Sequence, residues 1–448
     1  MLMTSFKYFT KQITKKNLID VYNEHIKSNP VVGLDRINNY VFSKRLNDEI
    51  DTIRRKINNQ TYRFSTYKQK LISKGASKLP RVISIPTVRD RLVLKMLCQH
   101  LQYVYQAQIK QEIPQIKIDR IKSVIEKGEC VQYIKIDLEC FYPSIDHEIL
   151  LDKIKKRIKS KKILGLLKKA IKTPTHTKHA CNEINESGVP QGIAISNILA
   201  DIFFIDIDDK LKSLAGCYYE RYVDDILILS SNNNGEMLYH EVVGILQNNK
   251  LKVHDKDQPN SKSVVSDIDE KFSFLGYQFD SNVITVKKEN RHKLETSIIK
   301  LFTACKYQLD KADITPGMIL RYKNILQWRV NLRLTGCVFE GARRGWVFYY
   351  SQINDMTLLH SIDHFVIEIS RRFGLSDIKF KKISKAFIEA KSVRKDEHKY
   401  ILNFDNLSVD KKRNILCVYL GEERLSYRKV SDDDINRLFK MRVMPPIG

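Results

Sequence analysis

Two stretches of the chain have sequence patterns that are typical of β-strands. In residues 131–146 the alternation continues up to Asp137, and in residues 219–229 two apolar, β-prone runs flank Asp224 and Asp225. Alternation with a period of two places successive side chains on opposite faces of a sheet. The pattern therefore predicts a strand that ends at Asp137 and a hairpin with the aspartate pair at its turn.

Apolar residues recur at helical spacing in three other regions, residues 41–53, 151–172 and 294–326. The middle region carries ten Lys or Arg residues and one acidic residue. It therefore predicts one or two helices with an apolar underside and a basic outer face. That face can contact a nucleic-acid backbone, or it can serve only to keep the surface soluble.

The adjacent carboxylates of Asp224 and Asp225 need an explanation, because like charges side by side repel. A divalent metal ion would neutralise them, and a solvated turn is the alternative, since Asp is common in turns. Asp137 supplies a third carboxylate at the end of another predicted strand. Phosphoryl transfer uses two metal ions roughly 4 Å apart that carboxylates hold, so these three residues predict a site for that chemistry.

With these residues the chain resembles reverse transcriptases of the bacterial group II intron and retron-like lineage. Asp137 matches their first catalytic aspartate, and Tyr222–Asp225 matches their Tyr-x-Asp-Asp box. Gly188–Asn197 contains their Pro-Gln-Gly motif, Leu79–Arg91 resembles their fingers segment, and Lys271–Tyr277 resembles their primer-grip hairpin. The resemblance implies an α+β fold, a right-hand polymerase with fingers, a ferredoxin-like palm of antiparallel sheet plus helices, and a helical thumb.

The resemblance also implies a role for individual residues. The catalytic residues would be Asp137, Asp224 and Asp225, which with the backbone of Leu138 would bind two Mg²⁺ ions, or Mn²⁺ as a substitute. The nucleotide-binding residues would be Lys74, Arg81, Tyr142 and Gln191. The primer grip would be Phe274, Leu275, Gly276 and Tyr277.

Several of these roles have a structural alternative. The ring of Tyr142 would exclude a ribose 2′-hydroxyl and so select deoxynucleotides, or it would pack in the core. Arg81 would clamp the nucleotide phosphates, or it would lie on a solvated surface hairpin. Gln191 would lie beside the incoming sugar, or it would bond to loop backbone. The lysine that follows the aspartate box in this family is replaced by Asp257, and either Lys256 or Lys262 would take its place as the general acid for pyrophosphate.

The resemblance divides the chain into five parts. They are a helical amino-terminal extension (1–60), fingers (61–130), a palm with interspersed fingers elements (131–285), a helical thumb (286–360) and a small carboxy-terminal module (361–448).

Composition points to the same class of partner. The chain has 77 Lys and Arg against 52 Asp and Glu, a formal charge of +25, and such an imbalance suits a polyanion. No apolar run reaches the ~20 residues that span a bilayer, so we expect no membrane partner. Eight cysteines without Cys-x-x-Cys pairs indicate free thiols and a cytoplasmic location.

The predicted RNA-binding residues lie in two groups. One is the basic helical face, and the other is the segment Trp328–Tyr350, where both tryptophans alternate with arginines that can stack on unpaired bases or pack the thumb core. The residues are Lys155, Lys156, Lys159, Lys162, Arg343, Arg344 and Trp346.

The second segment resembles the unknown-group, defence-associated reverse transcriptases, with type 2 favoured. That resemblance implies a nucleotidyltransferase that copies a dedicated, structured noncoding RNA repeatedly into cDNA from dNTPs, in antiphage defence. Three alternatives remain open. They are a retron-type enzyme, echoed loosely by Leu334–Gly336, a template-independent protein-primed DNA polymerase of the abortive-infection type, and a non-catalytic RNA-binding splicing cofactor.

Overall fold

The computed structural model describes residues 3–29, 31–73, 75, 79–110, 112–176, 184–259, 261–392, 398–421 and 430–443. The chain folds as two compact units. The first contains residues 1–112 and 128–267, and the second contains residues 113–127 and 268–448.

Helices outnumber strands among the described elements. The helices are α1 (Ser5–Gln12), α2 (Lys15–Val21), α3 (Asn39–Lys44), α4 (Leu46–Asn58), α5 (Val88–Tyr105), α6 (Pro114–Glu126), α7 (Phe141–Ser144), α8 (His147–Lys155), α9 (Lys161–Lys172), α10 (Ser196–Lys212), α11 (Gly235–Gln247), α12 (Lys288–Leu309), α13 (Pro316–Thr335), α14 (Trp346–Tyr349), α15 (Met356–Arg372), α16 (Ile383–Ala390), α17 (Val409–Leu420) and α18 (Asp432–Arg442). The strands are β1 (Tyr67–Ile72), β2 (Arg81–Ile85), β3 (Gln132–Asp137), β4 (Thr175–His176), β5 (Cys217–Tyr222), β6 (Asp225–Ser230), β7 (Val264–Asp267), β8 (Phe272–Phe274), β9 (Tyr277–Asp280), β10 (Val283–Val286), β11 (Cys337–Phe339), β12 (Ala342–Arg344) and β13 (Leu402–Asn403).

The first unit is organised around a four-stranded antiparallel sheet with the order β5-β6-β3-β7. Its two central strands are rich in isoleucine and leucine, and Ile134, Ile136, Ile226 and Ile228 are completely buried. β-branched side chains pack well on a sheet that is covered on its face. The strand expected to end at Asp137 and the expected hairpin at the aspartate pair are both present, which confirms those two predictions.

A second sheet of the first unit contains a hairpin that carries Arg81, as one interpretation of the sequence expected. β1 pairs antiparallel with β2, and the short β4 adds to β1 in parallel. β2 leads into α5, whose first turn is capped by the Thr87 hydroxyl, as a threonine at this position favours. The segment 151–172 forms α8 and α9, and their buried residues include Ile154, Ile163 and Leu166, so the predicted apolar underside is confirmed.

The second unit is mostly helical. Its two small sheets have the orders β10-β9-β8 and β12-β11-β13, and α12 packs on α13 and α15. The strands β8, β9 and β10 belong to this unit, and the predicted division of the chain at residue 285 stays a prediction. Residue 360, the expected end of the thumb, lies inside α15, whose buried face runs continuously from Leu358 to Ser370.

No described helix combines the length and the apolar character that a membrane span requires. The described elements thus form an α+β protein, which confirms the predicted class.

The buried His100 of α5 makes the stability of the first unit depend on pH. Burial lowers the pKa of His100 to about 4, so the unfolded chain binds a proton that the folded chain does not. Stability is therefore lost as the pH falls from about 6.5 through about 4, by about 3 kcal/mol in total. We expect His100→Gln to flatten this part of a urea-unfolding series against pH, and exposed His240→Gln to leave it unchanged. Equal slopes in the wild type and the His100 variant would contradict the prediction.

Candidate active site

The strand register brings Asp137 and Asp225 together. Asp137, the last residue of β3, lies directly opposite Asp225, the first residue of β6. Side chains of directly opposed residues share one face of the sheet about 5 Å apart. Tyr222 of β5 also pairs with Asp225, so Val223 and Asp224 form a two-residue turn beside this pair. The three aspartates that the sequence singled out therefore lie together at one end of the two central strands.

The turn that carries Asp224 is strained. Val223 has a φ of 57°, in the left-handed region that β-branched residues rarely adopt. Such a conformation costs on the order of 1–3 kcal/mol and persists only where the surroundings enforce it. The hairpin therefore holds Asp224 in a position that a relaxed turn would not give.

Arg221 holds the turn in this conformation, and nothing in the local sequence pattern marks this arginine as functional. Its Nη1 donates to the Val223 carbonyl at 2.9 Å, and its Nε and Nη2 donate to the two carboxylate oxygens of Asp208, each at 2.8 Å. The guanidinium lies 4.2 Å from the ring centroid of Phe204, and its side chain is 8% exposed. A bidentate pair of this kind fixes geometry as well as charge, so α10 anchors the strained turn through Arg221.

Lys262 lies at the predicted catalytic carboxylates, whereas Lys256 does not. The Lys262 Nζ is 3.1 Å from Oδ1 of Asp137, while the Lys256 Nζ pairs with Glu236 at 3.1 Å and with Asp257 at 3.4 Å. Of the two lysines left open by the sequence, the geometry favours Lys262. Its role as a proton donor stays a prediction.

The carboxylates repel one another in a partly buried place. Burial raises the pKa of Asp225; Lys135 opposes that shift, and the charges of Asp224 and Asp137 add to it. This arrangement favours a cation, and carboxylate oxygens are the ligands that Mg²⁺ prefers.

The donor set and the register fit a divalent ion held by Asp137, Asp224 and Asp225. Within the described ranges, no three His, Cys, Asp or Glu side chains already converge as a metal cluster. Leu138 pairs with Val253 in an isolated bridge, and its predicted contribution of a backbone ligand stays a prediction.

Tyr142 lies close to this end of the central strands. Its hydroxyl donates to Oδ1 of Asn197 at 2.8 Å. Burial raises the pKa of Tyr142 to about 12, with Asp224 and Asp201 adding to the shift and Arg81 opposing it. The charges of Asp224, a predicted catalytic residue, and of Arg81, a predicted phosphate-binding residue, therefore both act on the Tyr142 hydroxyl.

The Pro-Gln-Gly loop is attached to both Tyr142 and the fingers strand. The Val189 amide donates to the Tyr142 carbonyl at 2.8 Å, and the Gln191 carbonyl accepts from the Ser84 amide at 2.7 Å. Gly192 has a φ of 95°, and a Cβ there would lie 2.6 Å from Cγ2 of Ile83. Only glycine allows the loop to approach β2 this closely.

The remaining nucleotide-binding predictions have different outcomes. Arg81 begins β2 and is exposed, so its guanidinium can reach a ligand. Lys74 lies outside the described residues. The phosphate-binding role of both residues, and the sugar-binding role of Gln191, stay predictions.

Gly188 allows the Pro-Gln-Gly loop to touch the segment at Pro143, and this contact leads to a prediction about stability. It has a φ of 81°, and a Cβ there would lie 2.7 Å from the Pro143 carbonyl oxygen, next to Tyr142. We expect Gly188→Ala to destabilise the protein by about 1–3 kcal/mol in urea unfolding, because the backbone must move. Gly165→Ala in α9, where a Cβ meets open space, should instead stabilise it by about 0.5–1 kcal/mol. Two alanine variants of equal stability would refute this explanation.

The predicted primer-grip residues form the β8–β9 hairpin of the second unit. Leu275 and Gly276 form its turn with φ values of 50° and 83°, and Phe274 and Tyr277 are buried. The Tyr349 hydroxyl donates to the Leu275 carbonyl at 3.0 Å. The rings therefore hold the hairpin in place, and the primer-grip role of these four residues stays a prediction.

The basic helical face is less available than its sequence suggested. Lys155 pairs with Asp152 and Lys156 with Asp206, each at 2.8 Å, and Lys162 donates to the Asn58 carboxamide. Lys159 is exposed and has no ion-pair partner among the described residues. The RNA-binding predictions for these four lysines remain untested, and Lys159 is the best placed of them.

The arginines and tryptophan near residue 345 are mostly engaged within the second unit. Arg343 donates to the carbonyls of Ala390 at 3.1 Å and Ser392 at 3.2 Å, and Arg344 pairs with Glu340 at 3.2 Å. The ring centroids of Trp346 and Tyr350 lie 4.8 Å apart. This geometry favours the packing alternative for Arg343 and Trp346, and their role in RNA binding stays a prediction.

Comparison with known proteins identifies the domain. The family described as reverse transcriptase (RNA-dependent DNA polymerase) matches residues 68–279. Protein YkfC of Escherichia coli (strain K12) is 22% identical over 308 residues, which cover 58% of this chain and 77% of YkfC. The group II intron-encoded protein LtrA of Lactococcus lactis subsp. cremoris is 25% identical over 173 residues, 37% of this chain and 29% of LtrA. The putative COX1/OXI3 intron 2 protein of Saccharomyces cerevisiae is 22% identical, over 51% of this chain and 34% of the relative.

Among solved structures, apo telomerase from Candida tropicalis is similar at a TM-score of 0.42 and 13% identity, over 84% of this chain and 68% of that one.

The family match contains Lys74 and the motifs between Arg81 and Tyr277 on which the sequence resemblance rested. The family match confirms the predicted enzyme class, an RNA-directed DNA polymerase, for residues 68–279. The described helices and antiparallel sheets agree with the predicted right-hand polymerase fold.

Proposed function

We propose that this chain, whose residues 68–279 form a reverse transcriptase domain, extends a primer 3′-end with deoxynucleotides on an RNA template in the presence of Mg²⁺. The observation that carries the proposal is the pairing of Asp137 with Asp225 across adjacent strands, with Asp224 in the strained turn beside them. Three carboxylates grouped at the ends of neighbouring strands can hold the two metal ions that nucleotidyl transfer uses.

The proposed chemistry assigns each residue one task. Two Mg²⁺ ions held by Asp137, Asp224 and Asp225 would stabilise the charge that develops on the phosphates, and Mn²⁺ can replace them. Arg81 would hold the phosphates of the incoming nucleotide. The Tyr142 ring would exclude a 2′-hydroxyl, and Lys262 would give a proton to the pyrophosphate that leaves.

We further propose that the template is a structured noncoding RNA, copied repeatedly into cDNA in the cytoplasm as part of antiphage defence. The formal charge of +25 supports an RNA partner, and the resemblance of the segment Trp328–Tyr350 to defence-associated enzymes supports the biological role.

Primer extension tests the activity. The purified protein should incorporate dNTPs on an RNA template with a DNA or RNA primer, and EDTA should stop the reaction. Sequencing of the RNA that copurifies with the protein tests the template. One enriched RNA and cDNA of tandem repeats would support the proposal, whereas a random RNA population would leave a general polymerase.

A role in intron splicing is the second candidate. It is favoured by the relatives named for introns, LtrA and the COX1/OXI3 intron 2 protein. The same sequencing separates the two, because a splicing factor would enrich intron RNA and would need no dNTP incorporation.

The basic helical face gives a prediction about salt. Lys159 and Lys161 are exposed and lack ion-pair partners among the described residues. We plot the logarithm of RNA affinity against the logarithm of salt concentration. If each lysine contacts one phosphate, replacing both with Gln should make the slope of this plot shallower by about 1.4, at roughly 0.7 per contact with a single strand. Replacing Lys155 and Lys156 should change it less, because Asp152 and Asp206 already neutralise them. Filter binding across salt concentrations measures the slope for each double variant. Equal changes of slope in the Lys159/Lys161 and Lys155/Lys156 variants would contradict the predicted difference between the two pairs.

A further inference from the structure

A pocket lies between α13 and α17 in the second unit, in a part of the chain that the proposed chemistry does not use. Its volume is about 350 Å³, within the range of small-molecule sites. Its polar and aromatic lining comes from Asn324, Gln327, Trp328, Asn331, Asn414 and Tyr419, and an isoleucine and a valine complete it.

The lining has an unusual composition. It combines two aromatic rings with four carboxamides, and none of its residues is charged. Carboxamides both donate and accept hydrogen bonds, and aromatic rings offer flat surfaces for stacking. A phosphate would need cations here and a metal ion would need carboxylates, so this lining suits a neutral, planar ligand with donors and acceptors at its edge.

Carboxamide groups of the pocket remain available to a ligand. The Trp328 Nε1 is buried and has no hydrogen-bond partner among the described residues, so it lies out of reach of a ligand in the pocket. Gln327 donates through Nε2 to the Lys379 carbonyl, and Asn331 accepts through Oδ1 from the Lys381 amide, each at 2.8 Å. These bonds hold the two carboxamides in one orientation and leave the Gln327 Oε1 and the Asn331 Nδ2 for another partner.

The walls of the pocket are fixed in place. Arg321 of α13 donates through Nε to the Val418 carbonyl at 2.9 Å and through Nη2 to the Tyr419 carbonyl. The Arg329 guanidinium lies 5.6 Å from the centroid of the Tyr419 ring, at a distance typical of cation–π contacts. Two arginines thus tie the end of α17 to α13, so the pocket is formed before any ligand arrives.

We infer that this pocket binds one unpaired nucleobase of an RNA strand, which stacks against the aromatic lining while the carboxamides bond to its edge. Proteins that recognise single-stranded RNA use aromatic stacking together with hydrogen bonds to base edges. The choice of an RNA base rests on the proposed function, whereas the preference for a planar heterocycle rests on the lining alone.

Tryptophan fluorescence tests the inference, because the chain contains two tryptophans. Trp346→Phe leaves Trp328 as the single emitter. We would titrate this protein with four single-stranded homo-oligoribonucleotides, with an abasic oligomer of the same length, and with the four free ribonucleosides. At least one base-containing oligomer should quench Trp328, and the abasic oligomer should not.

Paired substitutions locate the binding. In the Trp346→Phe background, Asn324→Ala combined with Asn414→Ala should weaken the quenching oligomer about tenfold, the effect of two lost hydrogen bonds. Both residues are exposed, so the fold should survive. Asn233→Ala, at an exposed position in the loop after β6, is the matched control and should bind as the parent does.

Each contrary result has its own meaning. Equal quenching by the abasic oligomer, or unchanged binding by the Asn324/Asn414 variant, would overturn the pocket. Free ribonucleosides that bind as tightly as the oligomer would overturn the RNA strand as the ligand. A wild-type protein that binds the oligomer but incorporates no dNTP would overturn the proposed function and keep the pocket.

Discussion

Asp225→Asn is expected to lower dNTP incorporation about a thousandfold while leaving the fold intact. An amide cannot balance the charge of a divalent ion, and such an ion contributes several kcal/mol of transition-state stabilisation. Because burial and the neighbouring aspartates raise the pKa of Asp225, its charge opposes folding. In the absence of Mg²⁺ the variant should therefore be at least as stable as the wild type, a combination typical of a functional residue.

Primer extension and thermal unfolding of the same preparation measure the two effects. Asp209→Asn is the control, because Asp209 lies exposed on α10 of the same unit and should change neither quantity. Full DNA synthesis by the Asp225 variant would remove the assignment of the active site.

Tyr142→Val is expected to raise the use of ribonucleotides relative to deoxynucleotides about a hundredfold. The ring is half-buried near Asp224, whose charge contributes to the rise in the pKa of Tyr142, and we expect the sugar of an incoming nucleotide to meet the ring there. A pocket that rejects a substrate by shape alone discriminates roughly 10- to 200-fold, and removing the ring should remove that factor. Competition between a dNTP and its rNTP in single-nucleotide extension measures the ratio.

Tyr142→Phe separates the ring from its hydroxyl. This variant loses the 2.8 Å bond to Asn197 but keeps the volume, so it should discriminate as the wild type does. If Tyr142→Phe relaxed discrimination as much as Tyr142→Val, the hydroxyl and not the ring would be the selective group. A wild type that uses both sugars equally would end the steric explanation.

The sequence was sufficient for the parts of the site that depend on local pattern. A period of two specifies which face each residue of a strand occupies, so the strand at Asp137 followed from alternation. The hairpin at Asp224 and Asp225 followed from the apolar, β-prone runs on either side of the two aspartates. The helices at 151–172 followed from their apolar spacing in the same way. Glycine at 188 and 192 belonged to a recognisable motif, although the close approach that each glycine permits appears only in three dimensions.

The sequence was not sufficient where distant side chains meet. Arg221 and Asp208 are 13 residues apart, on a strand and a helix, and Lys262 reaches Asp137 across 125 residues. Nothing in the spacing of residues 250–262 distinguishes Lys256 from Lys262, because tertiary packing decides which lysine faces the carboxylates. Tertiary packing also decides that Lys156 pairs with Asp206, which lies on another helix. This pair and the pair of Lys155 with Asp152 reduce the number of unpaired cations on the basic helical face.

The course of the chain through α6 has a consequence for biosynthesis. Residues 113–127 belong to the second unit although the first unit flanks them on both sides, and Gln115 donates to the Phe348 carbonyl 233 residues later. At about 5–20 residues per second, the ribosome needs some tens of seconds to deliver that partner. During this interval Ile118 and Ile121, which are fully buried in the finished protein, stay exposed on the nascent chain. The second unit therefore completes its folding only after the residues from 268 onward have been synthesised, and α6 is the segment that a chaperone would have to shield until then.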